Sequence, residues 1–197
     1  MKRAAVLIAL LVAVTGLVSG STTASGAASA PAVRLQALNS DILTNLNVTR
    51  ISKKLRPLVL SDDLERAASA HSRSMLNGGF FQHESKDGSP FSVRVKHYYV
   101  AAGFDSWSAG ENLLYSTSEI SASAAIRAWL NSPMHRANML NPAWREVGIG
   151  AFYASAAGGT FAGEATWVIT MDFGMRAASR TMNPASTTLE AGPSVLK

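Results

Sequence analysis

The chain has 197 residues, of which 47% are hydrophobic, with no cysteine and a formal net charge of +5. Because disulfides are excluded, the fold must be held by an apolar core, and about 150 residues suffice for one such domain. The basic residues form no run longer than Lys53-Lys54, which argues against nucleic acid binding and only weakly favours an anionic polymer or lipid headgroup at a cell surface.

The first thirty residues have the pattern of an export signal. Lys2 and Arg3 precede an apolar run over residues 4–18, which is short for a membrane-spanning helix. Small residues follow, and Ala28-Ser29-Ala30 is one candidate cleavage site, although cleavage further upstream fits equally well. We therefore expect residues 1–30 to be a signal peptide, with an uncleaved membrane anchor as the alternative.

The remaining chain predicts one exported domain and a tail. Residues 31–176 carry the periodic apolar patterns expected of a core. Residues 177–197 are rich in Ser, Thr, Pro and Ala without any period, which predicts a flexible C-terminal tail. The protein is expected to be secreted and monomeric, with no nucleic acid partner and no membrane span once the signal is removed.

Apolar residues at helical spacing predict two helices in the first half of the domain. The first covers residues 33–48. The second begins at a capping box formed by Asp62 and Glu65 and ends at the Gly78-Gly79 break. His71 lies on the apolar face of this second helix, which favours a core histidine bonded to backbone over a ligand.

Two more helices are predicted further along the chain. Phe91 to Ala102 has helical spacing and ends at Gly103, and His97 lies off its apolar face. A second capping box, Ser116 with Glu119, predicts the start of a fourth helix with Trp129 on its buried face.

Extended, β-rich segments separate and follow these helices. Residues 109–115 form an apolar run, and residues 147–153 and 167–173 read as two strands of a hairpin whose loop contains Gly158-Gly159. Helices followed by a closing hairpin predict an α+β fold with an antiparallel-rich sheet.

Three side chains are the candidates for chemistry. His83 follows the Gly-Gly break in a loop, Glu111 is a lone carboxylate in an apolar run, and His135 follows the Ser132-Pro133 break. Two imidazoles and a carboxylate form a common three-ligand zinc set and also suit general acid–base catalysis. Their wide spacing along the chain leaves open whether they converge.

Ser132 and His135 offer a different interpretation, as a nucleophile and its base. Proline fits the first position of a helix, so Pro133 predicts a new helical turn with Ser132 as its N-cap. A capping serine has its oxygen engaged by backbone N–H groups, and no Gly-x-Ser-x-Gly elbow surrounds it, which disfavours the nucleophile.

Four blocks together carry a family resemblance: Phe81–Ser85, Gly110–Leu113, Ala128–Leu140 and Val147–Gly150. In this order they resemble the CAP superfamily, or SCP domain, of cysteine-rich secretory, antigen 5 and pathogenesis-related proteins. The resemblance is to its bacterial, cysteine-free branch and covers roughly residues 34–176.

The resemblance implies a three-layer α-β-α sandwich with a cleft lined by a His/Glu tetrad. His83 would be its first histidine, Glu111 its first glutamate and His135 its second histidine. The second glutamate is expected three residues after Trp129, where this chain has Ser132. The set of four is therefore incomplete.

Four further residues are expected to support the cleft. Asn112 and Asn138 match block positions and would brace it by hydrogen bonds, and Ser132 and Arg136 lie beside His135. Arg136 would either brace the cleft or contact a ligand.

A non-catalytic module is the expected function. It would bind Zn²⁺ or another divalent cation at His83, His135 and Glu111, and engage a small ligand, a lipid or a cell-envelope component. A metal- or His-assisted hydrolase using the same three residues catalytically is the first alternative. The second is a lipid- or sterol-binding module, whose apolar groove would be lined by Phe80, Phe81, Phe91 and Trp107.

Overall fold

The computed structural model describes residues 6–7 and 30–177. Its strands are β1 (Val6–Leu7), β2 (Val33–Arg34), β3 (Val59–Leu60), β4 (Ser106–Ser116), β5 (Glu146–Ala157) and β6 (Glu164–Ala177). Its helices are α1 (Gln36–Ser52), α2 (Asp62–Gly78), α3 (Phe91–Tyr98), α4 (Ala122–Asn131) and α5 (Pro133–Met139), with a short 3₁₀ turn at Gly159–Phe161.

Three long antiparallel strands form the centre of one sheet. β6 lies between β4 and β5, and the full order is β1-β4-β6-β5-β2, with β3 added in parallel to the start of β5. β5 and β6 form the predicted hairpin, closed by the 3₁₀ turn. The expectation of an α+β fold with an antiparallel-rich sheet is confirmed.

Helices cover both faces of this sheet, because successive side chains of a strand point to opposite sides. On one face, α1, α4 and α5 share a cluster with Leu114, Ala151 and Ile169 of the long strands. On the other face, α2 packs on Leu113 and Phe152, and α3 packs on α2 through Val95 and Tyr99. The three-layer sandwich is therefore the observed architecture.

The contact between α2 and the sheet is unusually close. Gly148 and Gly150 of β5 face the helix, and a Cβ at Gly148 would lie 2.0 Å from the carbonyl carbon of Leu64. A Cβ at Gly150 would lie 2.5 Å from the carbonyl carbon of Ala68. Only glycine permits this approach of backbone to backbone, so these two positions set the height of α2 above the sheet.

The first helix begins later than predicted, and the second begins one residue earlier. Residues 33–34 pair with Tyr153 and Phe152 of β5 instead of starting α1, because the sheet edge offers them backbone partners. The N-cap of α2 is Ser61, whose Oγ accepts from the N–H of Leu64 at 3.5 Å, and not Asp62.

The third and fourth helices also differ from prediction at their ends. α3 ends at Tyr98, since the carbonyl of Tyr99 accepts instead from the indole of Trp107 at 2.7 Å. Ser121, and not Ser116, caps α4, because the Ser116 hydroxyl closes a turn onto Ser118 at the end of β4.

The predicted leader and tail lie almost wholly outside the described residues. Within residues 1–30 the structure describes Val6–Leu7, which pair with the end of β4, and Ala30, whose N–H donates to Ala156. Ala177 is the last residue of β6, and residues 178–197 are outside the description. Among the helices of the described part, none has the length and apolar character needed to cross a membrane.

Candidate functional site

The loop between α2 and α3 carries His83 to the sheet. It leaves α2 at Gly79, whose positive φ of 66° gives the left-handed turn that glycine favours. His71 of α2 then ties the loop down, because its Nε2–H donates to the carbonyl of Gln82 at 2.9 Å. Burial lowers the pKa of His71 to about 4, so the ring is neutral. His71 therefore acts as an anchor for the loop.

Glu111 lies under this loop on the face of β4 that is covered by α2. Its carboxylate is 1% exposed and accepts from Nδ1–H of His83 at 2.8 Å through Oε1. Its other oxygen, Oε2, accepts from the guanidinium of Arg94. Burial alone would raise the pKa of Glu111, but the His83 hydrogen bond and the Arg94 charge hold it below its ordinary value.

Arg94 of α3 is a site residue that the sequence did not indicate. Besides Glu111, it donates to the carbonyl of His83 at 3.3 Å and to Oγ of Ser85 at 3.0 Å. Its side chain is only 9% exposed. Arg94 thus joins the His83 loop to β4. Its role could not be predicted from a local sequence pattern, because each of its partners lies in another element.

His135 is carried by α5 and lies close enough to His83 to interact with it electrostatically. It lies in the first turn of that helix after Pro133, and its Nδ1 is 2.7 Å from Oγ of Ser132. The Ser132 side chain makes no capping hydrogen bond, contrary to the prediction for it. Burial lowers the pKa of His135, and electrostatic repulsion from nearby His83 lowers it further.

Ser132 therefore occupies the place where a glutamate was expected and contacts the histidine that this glutamate would have neighboured. A hydroxyl in this position can fix the orientation of the His135 ring without adding charge. In the described part of the chain, the cleft carries the carboxylate of Glu111 but no second carboxylate from α4 or α5.

Two asparagines join the site to the core. Asn112 donates to the carbonyl of His135 at 3.0 Å, and Asn138 donates to the carbonyl of Glu111 at 3.1 Å. The two amides also bond to each other at 3.0 Å. Arg136 instead donates to the carbonyl of Leu130 at the end of α4, so its contact is with a helix terminus and not with the cleft.

Asp172 is a second acidic residue that the sequence reading did not single out. It lies directly opposite Glu111 in the β4–β6 pair and is fully buried, and among the described residues no donor reaches either carboxyl oxygen. Burial raises its pKa well above the ordinary value, and the neighbouring charge of Glu111 adds to the effect. Asp172 could have been recognised in the sequence by the same feature as Glu111, because each is a lone carboxylate in an apolar strand.

The geometry limits how a metal could be held here. Both oxygens of Glu111 are engaged by His83 and Arg94. Among the residues that the structure describes, no group of three or more His, Asp or Glu side chains is arranged to hold a metal ion. The donors left for a cation are the second ring nitrogens, Nε2, of His83 and His135.

The aromatic residues predicted to line a lipid groove fall into two separate clusters. Phe80 and Phe81 pack with Met75 and Phe161 on one part of the α2 face. Phe91 and Trp107 pack with Tyr99 and its neighbours beside α3. The four rings therefore belong to two different packing clusters.

Comparisons with known proteins place this geometry in context. Two proteins of Bacillus subtilis (strain 168) are similar in sequence: YkwD, 31% identical over 59% of this chain and 43% of its own length, and the membrane protein YlbC, 32% identical over 55% and 30% respectively. Both are described as uncharacterized. This chain thus spans less than half the length of either relative.

Solved structures share the fold. An extracellular SCP-domain protein of Bacillus anthracis superposes with a TM-score of 0.52 and 25% identity, covering 70% of this chain and 40% of its own. An outer surface protein of Borrelia burgdorferi superposes with a TM-score of 0.53 at 18% identity, covering 73% and 98%, which shows a common fold alone.

The profile of the cysteine-rich secretory protein family matches residues 43–173, which run from α1 through the His83 loop to the strand that carries Asp172. That range includes every residue of the cleft described above. Together with the three-layer fold and the ordered sequence blocks, this match shows that the chain belongs to the CAP, or cysteine-rich secretory protein, family.

Proposed function

We propose that the chain is an exported, non-catalytic binding module whose cleft takes a divalent cation between His83 and His135. The observation that carries the proposal is the state of the two Nδ1 atoms. Glu111 holds Nδ1 of His83, and Ser132 lies at hydrogen-bond distance from Nδ1 of His135. Since both Nδ1 atoms are engaged, Nε2 of each ring is the nitrogen left to coordinate a cation.

This arrangement is the one that histidine ligands of metals commonly use. A carboxylate or other acceptor on the second ring nitrogen sets the tautomer and orients the ring. Glu111 would then support His83 and not bind the cation itself. The lowered pKa of His135 favours the neutral imidazole that a metal requires. Two protein ligands leave coordination positions open, so we expect weak binding with room for a ligand or partner.

Calorimetric titration with Zn²⁺ tests the proposal. We expect binding by the wild type, loss of binding in His83→Ala and in His135→Ala, and unchanged binding in His97→Ala, which alters an exposed histidine on α3. Ser132→Ala should weaken binding about tenfold or more without abolishing it, because it removes an orienting group and not a ligand. Identical titrations for the wild type and the His83→Ala/His135→Ala variant would overturn the metal proposal.

Export is supported by the leader pattern and by the relatives. Two structural neighbours that share the fold are an extracellular protein and an outer surface protein. The partner at that location would be a small ligand, a lipid or an envelope component. Mass spectrometry of the protein recovered from its producing cells, under native conditions, would report the cleavage point, bound metal and bound lipid together.

The Ser132–His135 hydrogen bond favours one second candidate, a hydrolase in which His135 activates an oxygen nucleophile. A screen with protein substrates, with and without chelator, separates the possibilities. Activity that is lost in Ser132→Ala but survives chelation would support a serine nucleophile. Activity that is lost on chelation would support a metal-assisted reaction. If no activity is detected, the non-catalytic binding module is supported.

A further inference from the structure

A separate pocket on the outer side of α2 is lined by three arginines. Its volume is about 290 Å³, and Arg66 and Arg73 of α2 both line it. These positions are seven residues apart on one helix face, so their backbones are about 10 Å apart along the axis. Ser69 and Ala70, both small, lie between them, while Arg34 of β2 and Tyr98 of α3 complete the lining with Glu65.

The charge in this pocket is unbalanced. Arg34 donates to Glu65 and Arg66 donates to Asp63 at 2.6 Å, each through a single Nη2 atom. A guanidinium has five N–H donors, so most donors of both arginines are still available. Arg73 has no carboxylate partner among the described residues, and its guanidinium is placed over the Phe152 ring, 5.2 Å from the centroid.

Ser69 supplies an independent sign of a missing partner. The residue is 8% exposed, and its hydroxyl has no hydrogen bond to any described residue. A serine inside a helix usually bonds to a carbonyl one turn back or points to solvent. Buried hydroxyls in general find a partner, and this one belongs to a residue that lines the arginine pocket, so an oxygen-rich ligand is the partner that would satisfy it.

We propose that this pocket binds the phosphate group of a small phosphate ester, either free or as a lipid headgroup. Guanidinium forks match phosphate oxygens in pairs, and the serine hydroxyl adds a neutral donor beneath them. The pocket shares Ala70 and Tyr98 with a second cavity of about 380 Å³ that is also lined by Arg94. The remainder of the ester can extend along this path toward the back of the His83 loop. The site is distinct from the proposed cation site.

Titration with inorganic phosphate and with sn-glycerol 3-phosphate, at about 0.15 M salt to screen loose attraction, tests this proposal. Arg73→Gln should weaken binding about tenfold or more, since a charge-assisted contact is lost. Arg127→Gln is the matched control, because Arg127 is an exposed arginine of α4 outside the pocket. It should leave binding unchanged.

Ser69→Ala separates ligand contact from folding. Because the hydroxyl has no partner to lose and alanine is the better helix former, thermal stability should be unchanged or slightly higher. Phosphate binding should nevertheless weaken severalfold.

Sedimentation with vesicles of phosphatidylglycerol, against vesicles of phosphatidylcholine, distinguishes the two sources. Saturable binding of the free ester supports a soluble ligand. If the free ester does not bind but the protein sediments with phosphatidylglycerol vesicles in an Arg73-dependent way, a lipid headgroup is supported. Absence of both, or equal losses in Arg73→Gln and Arg127→Gln, would overturn the proposal.

Discussion

Glu111 is held by cationic or hydrogen-bonding groups from two different segments, His83 of the loop and Arg94 of α3. The two segments contact each other as well, because Arg94 also donates to the His83 carbonyl. Removing one member of a buried charge pair leaves the other unpaired, which costs more free energy than the pair contributes. The cleft is therefore expected to be sensitive to a single substitution at either Glu111 or Arg94.

We expect Glu111→Gln and Arg94→Met each to lower the free energy of unfolding by about 3 kcal/mol. The double variant should lose less than the sum, with a coupling of at least about 1 kcal/mol, because neither buried charge is then left alone. Urea unfolding of the four proteins measures this cycle. The exposed pair Arg66–Asp63 is the control, and its coupling should stay below about 1 kcal/mol.

His71 predicts a loss of stability in acid. Its pKa lies near 4 in the folded protein against 6.5 for the free side chain, so the unfolded chain binds more protons between these values. The contribution of neutral His71 to the free energy of unfolding is then fully present above about pH 6.5, and the free energy of unfolding falls by about 3 kcal/mol as the pH approaches 4. The charged groups around it, Glu111, Arg94 and His83, modify this loss but are weaker than its burial.

Urea unfolding of the wild type and His71→Gln between pH 7 and pH 4 measures this effect. The variant should be less stable at neutral pH, where it loses the bond to Gln82, and should show a shallower decline in acid. His97→Gln, at an exposed position, should keep the wild-type slope. A slope in His71→Gln equal to that of the wild type would contradict the assignment of His71 as the acid-labile group.

At the scale of elements, α4 is attached to the sheet through one large side chain. Trp129 is fully buried, and its indole N–H donates to the carbonyl of Leu113 in β4 at 3.0 Å. This contact places the end of α4, and therefore Ser132 and α5, beside the strand that carries Glu111.

Trp129→Ala should lower the free energy of unfolding by about 3–5 kcal/mol, since it empties a buried ring site. Trp129→Phe keeps most of the apolar volume and should lose about 1–2 kcal/mol for the unmade hydrogen bond. Chemical denaturation measures both. A loss below about 1 kcal/mol for the alanine variant would show that this ring does not hold α4 in place.

The existence and order of the elements could be predicted because apolar spacing is a local signal. Helix ends were less predictable, since Ser61 and Ser121 act as caps although Asp62 and Ser116 have suitable side chains too. The choice depends on where the preceding strand stops. The cleft residues His83, Glu111 and His135 could be singled out from the sequence, and the family blocks predicted that they share one cleft. Arg94 could not be predicted, because its role depends on how α3 packs.

Across the whole molecule, one sheet separates two apolar layers, and β6 is its middle strand. Residues 168–173 of β6 are buried and paired on both edges, whereas α3 buries only Val95. The centre of the sheet should therefore have the highest free energy of local opening.

Native-state hydrogen exchange should show this gradient. Amides of residues 168–173 should exchange only through global unfolding, and those of α3 should open at a free energy at least about 2 kcal/mol lower. Equal protection in α3 and β6 would contradict this ranking and would indicate that α3 is part of the cooperative unit.

Gly148 and Gly150 have a consequence for the cleft at a distance. Since α2 rests on the sheet through main-chain atoms, no side-chain rearrangement can change the spacing between them. His71 projects from that helix and holds the loop that carries His83. The position of the His83 imidazole is therefore set by the main-chain contact between α2 and the sheet. An incoming ligand would meet a receptor that is already shaped, and little of its binding energy would be consumed in ordering this side of the cleft.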